Sequence, residues 1–301
     1  MMVNRQDIVE GLHKLGLRIG DVVIVHSSLS SFGKVDGGAD TVVDALLDVI
    51  GEQGTLIVPT FNAEPGIFDI AKTPSLSGAI TEAVRKRDNA IRSNHPTHSV
   101  AAIGQLADVI TEDHDKVHPF ARGSAFFKAL QANAKILQLG ITHTSNSMIH
   151  LAEEIQNVPY LDRQRYVGIK TKSGKIIHKW IRQPGCSRGF DALDEPLEIG
   201  DQIKETPIGD CRARLMTART VVEAAIELLK SDPEALLCSR FDCGVCAESR
   251  AMIAALETER QDKEVIELAE QEEKTIRLLE RSLDGVEIKF FEPDRLDRSP
   301  N

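Results

Sequence analysis

The sequence has little of what marks several protein classes. One Trp, two Tyr and ten Phe are all the aromatic side chains in 301 residues. Single-stranded nucleic acid is held by stacking bases on such rings, so their scarcity speaks against that partner. Positive charge is also short: 36 Lys plus Arg stand against 46 Asp plus Glu, a formal charge of −10. A sequence-independent nucleic-acid binder needs a basic footprint, whereas an acidic surface suits cationic small molecules. No apolar run approaches the ~18–20 residues of a membrane span. The first twenty residues mix charges into a helical pattern and lack the apolar centre of a signal peptide. Five cysteines, an odd number in a chain with ample core, do not suggest a disulfide scaffold. A cytoplasmic protein with neither nucleic acid nor membrane as partner is expected.

Several motifs are missing too. No P-loop and no GxGxxG occurs, which removes the commonest phosphate cradles. No GxSxG elbow supports a serine hydrolase, and no HExxH supports a zincin.

What is present is a regular grammar of strands and helices. Asp21–His26 reads as a strand, and Gly37-Gly38-Ala39-Asp40 opens a helix with Val42, Val43, Leu46, Leu47 and Ile50 at helical spacing. Strands follow at Thr55–Pro59, Ser99–Ile103 and Lys135–Leu139, with helices at Ser77–Arg87 and from Ser124 through Gln131. This alternation predicts an α/β fold with a mainly parallel central sheet flanked by helices. Beyond about Pro159, the segments Arg165–Thr171 and Lys175–Arg182 flank Lys172-Ser173-Gly174 as a β-hairpin, and a helix is expected at Met216–Lys230. Glu257–Arg281 carries nine acidic and five basic side chains around a narrow stripe of Val265, Leu268, Ile276 and Leu279. That reads as a charged carboxyl-terminal helix, either a solvated face or a dimer or partner helix. The expected division is residues 1–237 as an α/β domain and 238–301 as a Cys-containing helical extension.

Four constellations could carry chemistry. His26-Ser27-Ser28-Leu29 ends the first strand, where open α/β sheets bind ligands. Gly37-Gly38 then precedes a helix whose amino end favours anions; an ordinary Ser-rich turn and helix start is the plainer reading. Gly140 to Glu154 contains His143, Ser145, Asn146, His150 and Glu153. Ser145 or Asn146 can cap the following helix. His150 and Glu153, three apart, share one helix face, so the carboxylate can set the imidazole's tautomer for base catalysis; an ordinary surface pair has the same spacing. His95-Pro96-Thr97-His98-Ser99, with His118 and Gly123-Ser124, reads mainly as loop and strand edge, with Ser124 as a helix cap. Cys238-x4-Cys243-x2-Cys246, with Cys186 and Cys211 upstream, offers part of a zinc site. A second CxxC is missing, so free thiols are the simpler reading.

Taken in order, these segments resemble the aminoglycoside 3-N-acetyltransferase family. The matching stretches are Gly20–Leu29, Gly37–Leu46, Gly54–Thr60, His95-Pro96-x-x-Ser99, Gly123-Ser124, Gly140–Glu153 and Gly209-x4-Arg214-Leu215-Met216. Residues 60–78 match only in part, and Ser147 stands where the family often has Thr. The resemblance implies an α/β fold distinct from the GNAT fold, moving acetyl from acetyl-coenzyme A, as co-substrate, to an amine of a polycationic acceptor, with no metal needed for the chemistry. It implies coenzyme A on His26, Ser27, Ser28, Leu29, Gly37 and Gly38, with Ser99 and Ser124 also assigned to that site. It implies acceptor contacts from His143 and Asn146, base catalysis by His150 with Glu153, and acidic residues around the mouth. A homodimer is compatible. The competing readings are a coenzyme A-binding module with little catalysis and a zinc-dependent hydrolase using the histidines and cysteines.

Overall fold

The structure is a computed structural model that describes residues 2–62, 66–171 and 173–283. The chain begins with β1 (Met2–Val3), α1 (Arg5–Leu15), β2 (Val22–Ser27), β3 (Lys34–Val35), α2 (Gly38–Ile50), β4 (Thr55–Pro59) and β5 (Ile67–Phe68). It continues through α3 (Ala79–Arg85), β6 (Ile91–Arg92), β7 (Val100–Gly104), α4 (Ala107–Thr111), α5 (Ala125–Gln131), β8 (Lys135–Leu139) and α6 (Ile149–Gln156). The remainder is β9 (Gln164–Lys170), β10 (Ile176–Arg182), α7 (Asp194–Ile199), β11 (Lys204–Ile208), β12 (Cys211–Thr217), α8 (Ala218–Ser231) and α9 (Gly244–Leu283). No helix among the described residues is long and apolar enough to cross a membrane.

A seven-stranded sheet in the order β11-β12-β8-β2-β4-β7-β6 divides the first compact unit, which ends at Ile253. Successive side chains of a strand point to opposite faces, and the two cores follow that rule. Val23, Val25, Leu56, Val58, Leu137 and Leu139 meet α1, α2 and α3 on one face, through Ile8, Leu12, Leu46 and Ile80. Ile24, Ile57, Ile136 and Met216 meet α4, α5, α6 and α8 on the other, through Ile110, Phe126, Ile149 and Val221. The result is three layers, helix–sheet–helix, with strands buried on both sides.

The expected mainly parallel sheet is corrected. Only β8 with β2 and β2 with β4 pair in parallel; the other four neighbours are antiparallel. Short connections account for two of these: β6 reaches β7, and β11 reaches β12, by turns too brief for the helical crossover that parallel strands need, while β7 beside β4 and β12 beside β8 run antiparallel after long connections. Met216 is likewise the penultimate residue of β12 rather than the start of a helix; α8 begins after Thr217, whose hydroxyl accepts from the Thr220 amide at 3.1 Å. The hairpin is present as β9 and β10, but it joins β5 in a separate three-stranded sheet. Lys172 in its turn lies outside the described residues.

The charged helix starts earlier than expected, at Gly244. In the second unit, which begins at Ala254, Leu256, Ile266 and Leu268 are exposed. The side chains of Val265, Ile276 and Leu279 lie outside those described.

Candidate active site

The carboxyl ends of β2, β4 and β8 open on one side of the sheet, and two hollows lie there. The first is a cavity of about 350 Å³ walled by His26, Ser27, Phe61, His98, Asn146 and His150, among others. The second, about 550 Å³, is walled by Ser27, Ser28, Leu29, Gly38, Gly78 and Ala79, among others. Ser27 borders both hollows.

His150 is placed by the first turn of α6, which packs its apolar face of Ile149, Leu151 and Ala152 into the core. Its Nδ1 lies 2.6 Å from Glu153 Oε2, and Glu153 is fully buried. The other carboxylate oxygen accepts from the Tyr160 hydroxyl at 3.0 Å. Burial and the Glu153 charge drive the Tyr160 pKa upward, so the phenol stays a donor. Both carboxylate oxygens are therefore engaged, and Nδ1 is committed, which leaves Nε2 as the imidazole nitrogen for the cavity. Phe120 and Phe190 hold the ring, with centroids 4.9 and 4.8 Å away.

His26 is the penultimate residue of β2, opposite Gln138 of β8. It is almost wholly buried, and burial followed by the proximity of His143 lowers its pKa to about 3. The neutral ring's Nε2 and the Ser27 Oγ are buried without a hydrogen-bond partner in the protein. Buried polar atoms are normally satisfied, and both of these belong to residues that line the main cavity.

The second hollow is shaped by glycine. Gly37 caps α2 with φ at 73° and offers no side-chain cap, so the first amides of α2 keep their donors. Gly38 also has positive φ, and a Cβ there would meet nothing within 4 Å, because it faces open space. Free amides at a helix amino end suit a phosphate.

The remaining expected residues are distributed differently. Asn146 lines the cavity, but its amide is spent on His143 Nδ1 at 3.1 Å and on the Met148 amide at 3.2 Å. It therefore organises the loop before α6 instead of capping that helix directly. His143 is fully buried behind it, 3.6 Å from Asp194, with its pKa lowered to about 4 by burial and by Arg214. Ser99 is buried against Thr60 at 2.9 Å and the Arg92 guanidinium at 3.1 Å. Ser124 caps α5 by accepting from the Phe127 amide. None of His143, Ser99, Ser124 and Gly37 lines either hollow. Among the described residues no carboxylate lines the main cavity; Asp191 stands one layer back, accepting from the Thr144 amide at 3.2 Å.

Sequence reasoning missed the opposite wall. Pro184, Gly185 and Ser187 follow β10 and close the cavity against Glu153 and Tyr160. Gly78, with φ at 114°, brings the start of α3 close to the Ser27 carbonyl. The histidines do not assemble with carboxylates or cysteines into a metal-ligand group among the described residues; only four cysteines do.

Comparison with known proteins identifies the family. Residues 24–230 match the model of the aminoglycoside 3-N-acetyltransferase family. Aminoglycoside N(3)-acetyltransferase IV from Salmonella is 30% identical over 235 residues, spanning 76% of this chain and 88% of the relative. The crystal structure of aminoglycoside acetyltransferase AAC(3)-IVa as apoenzyme has a TM-score of 0.78 at 28% identity, covering 84% of this chain and 98% of that one. A mutant of the same enzyme in complex with a gentamicin gives 0.77 at 28% identity with the same coverage. On that match and that similarity, the chain belongs to the aminoglycoside 3-N-acetyltransferase family.

Proposed function

We propose that this acyltransferase moves acetyl from acetyl-coenzyme A to an amino group of an aminoglycoside, with His150 as the general base. The observation that carries the reading is the buried Tyr160–Glu153–His150 chain ending on a cavity that shares Ser27 with a glycine-walled hollow. The glycine-walled hollow takes the coenzyme, its phosphates toward the amides of α2 and its thioester toward Ser27. The main cavity takes the acceptor; a member of the family solved with gentamicin bound supports an aminoglycoside as that acceptor's class.

The chemistry then follows. An acceptor ammonium must shed a proton before its nitrogen can attack the thioester carbon. His150 Nε2 takes that proton, and Glu153 stabilises the imidazolium that forms. The carbon–nitrogen bond forms, the carbon–sulfur bond breaks, the nitrogen sheds its second proton to solvent as it becomes an amide, and the His150 imidazolium protonates the departing thiolate. The Ser27 hydroxyl, which has no hydrogen-bond partner in the protein, would bond the carbonyl oxygen as it gains charge.

The direct test is thiol release from acetyl-coenzyme A across a panel of aminoglycosides and simple amines. Release with aminoglycosides carrying a free 3-amino group is expected. Release confined to simple amines would reassign the acceptor, and none with any amine would leave only a binding module.

The donor site has its own expected result. Gly38→Val should raise the donor KM about tenfold or more and leave kcat at saturating donor within a few-fold. The added side chain enters the hollow at a positive-φ position that a β-branched residue resists. An unchanged donor KM would move the coenzyme elsewhere.

A further inference from the structure

The cysteines that the chemistry does not use are gathered in one place. Cys186, Cys238, Cys243 and Cys246 bring their Sγ atoms within 4.8 Å of one another. Cys238 lies 3.5 Å from Cys246, Cys243 lies 3.7 Å from Cys186, and Cys186 lies 4.0 Å from Cys238. Sulfurs at the corners of a tetrahedron with zinc–sulfur bonds of ~2.3 Å would be about 3.8 Å apart. A disulfide needs about 2.05 Å, so these contacts fit a shared cation rather than covalent pairs.

The surroundings fit a thiolate cluster as well. The Arg188 amide donates to Cys186 Sγ at 3.4 Å, as backbone donors do around metal-bound sulfur. Cys243 immediately precedes α9 and Cys246 lies in its first turn, so both sulfurs stand at the positive end of a long helix. Cys238, Cys243 and Cys246 are buried in the apolar core of the first unit, beside Leu236, Leu237 and Ile253. Four thiols packed together there without a common partner would be a poor use of core volume.

We propose that Cys186, Cys238, Cys243 and Cys246 bind one zinc ion as a closed, structural four-thiolate site. The spacing Cys238-x4-Cys243-x2-Cys246 supplies three ligands from the first turn of α9 and the segment just before it, and the fourth arrives from the loop after β10. That loop is the wall of the active-site cavity: Pro184, Gly185 and Ser187 line it on both sides of Cys186 in sequence. The metal ties this wall to the carboxyl-terminal part of the first unit and takes no part in acetyl transfer, since four sulfurs leave no open position.

Elemental analysis of the purified full-length protein tests this without any variant, and one equivalent of zinc per chain is expected. Exchange with Co²⁺ should give the intense visible and charge-transfer bands of tetrahedral four-thiolate cobalt. Cys211→Ser, at the buried cysteine outside the cluster, should keep the full equivalent. Cys186→Ser should lose most of it and melt at a lower temperature. Less than one tenth of an equivalent from zinc-supplemented growth, four thiols paired as two disulfides in intact-mass analysis, or a zinc equivalent that survives Cys186→Ser would each overturn the assignment.

Discussion

Replacing His150 with alanine is expected to lower turnover by about 10²-fold or more while donor affinity changes little. General-base catalysis contributes roughly 10²–10⁴ to a rate, and no other imidazole at the cavity is equally placed. His26 is neutral to about pH 3 and lacks a carboxylate partner. His98 spends its Nδ1 on Thr97 at 2.8 Å, and burial holds its pKa well below the ordinary value. Glu153→Gln should cost less, because it keeps the shape and removes the charge that stabilises the imidazolium. Steady-state rates at saturating acetyl-coenzyme A, with donor binding measured by calorimetry, separate the two effects. Near-normal turnover in the alanine variant would remove His150 from the mechanism.

Acidification should destabilise the fold well before carboxylates titrate. His26, His95, His98, His114, His118 and His143 are all shifted downward, chiefly by burial. His26 and His118 fall to about 3, and His114 and His143 to about 4. In the unfolded chain each ring returns to about 6.5. Between those limits the unfolded chain binds protons that the folded chain refuses, so stability is full above pH 6.5. It falls as the pH drops toward 4, by up to about 1.4 kcal/mol per pH unit for each ring. If even half of the rings behave so, the melting temperature should fall by about 10 °C between pH 7.5 and 5.5. A melting temperature that is level across that range would show that the rings are hydrated or paired in the folded protein.

The elements that build the site were legible where local pattern decides. Lys135–Leu139 reads as a buried strand because it is a short apolar run bounded by Ala134 and Gly140, and it is β8 without a shifted residue. His150 and Glu153 could be paired because helix geometry fixes what lies three apart. The direction of the flanking strands was not legible, since helix–strand alternation does not say which way a strand returns. Ser99 and Ser124 looked available as ligand groups, yet their hydroxyls are consumed by Thr60 with Arg92 and by a helix amide. Arg214 at the centre of β12 is buried and bonded to Gln138 at 3.3 Å and to Asp194, a pairing across 76 residues that no local signal announces. Cys186 could not be told from Cys211 for the same reason: its partners begin 52 residues later.

The two ends of the central sheet have a consequence for how this protein can associate. A sheet margin with free amides and carbonyls invites another chain to add a strand. Here one margin, β6, is two residues long, and its Arg92 reaches the carbonyls of Thr60, Ile70 and Thr73. The other, β11, presents Lys204, Glu205 and Pro207 to solvent, and proline has no amide to offer. Neither margin of this sheet is a ready template for strand addition. Copies that meet at the ends of the central sheet must therefore do so through its helices or loops, whereas β10, at one edge of the separate three-stranded sheet, is a margin of another kind.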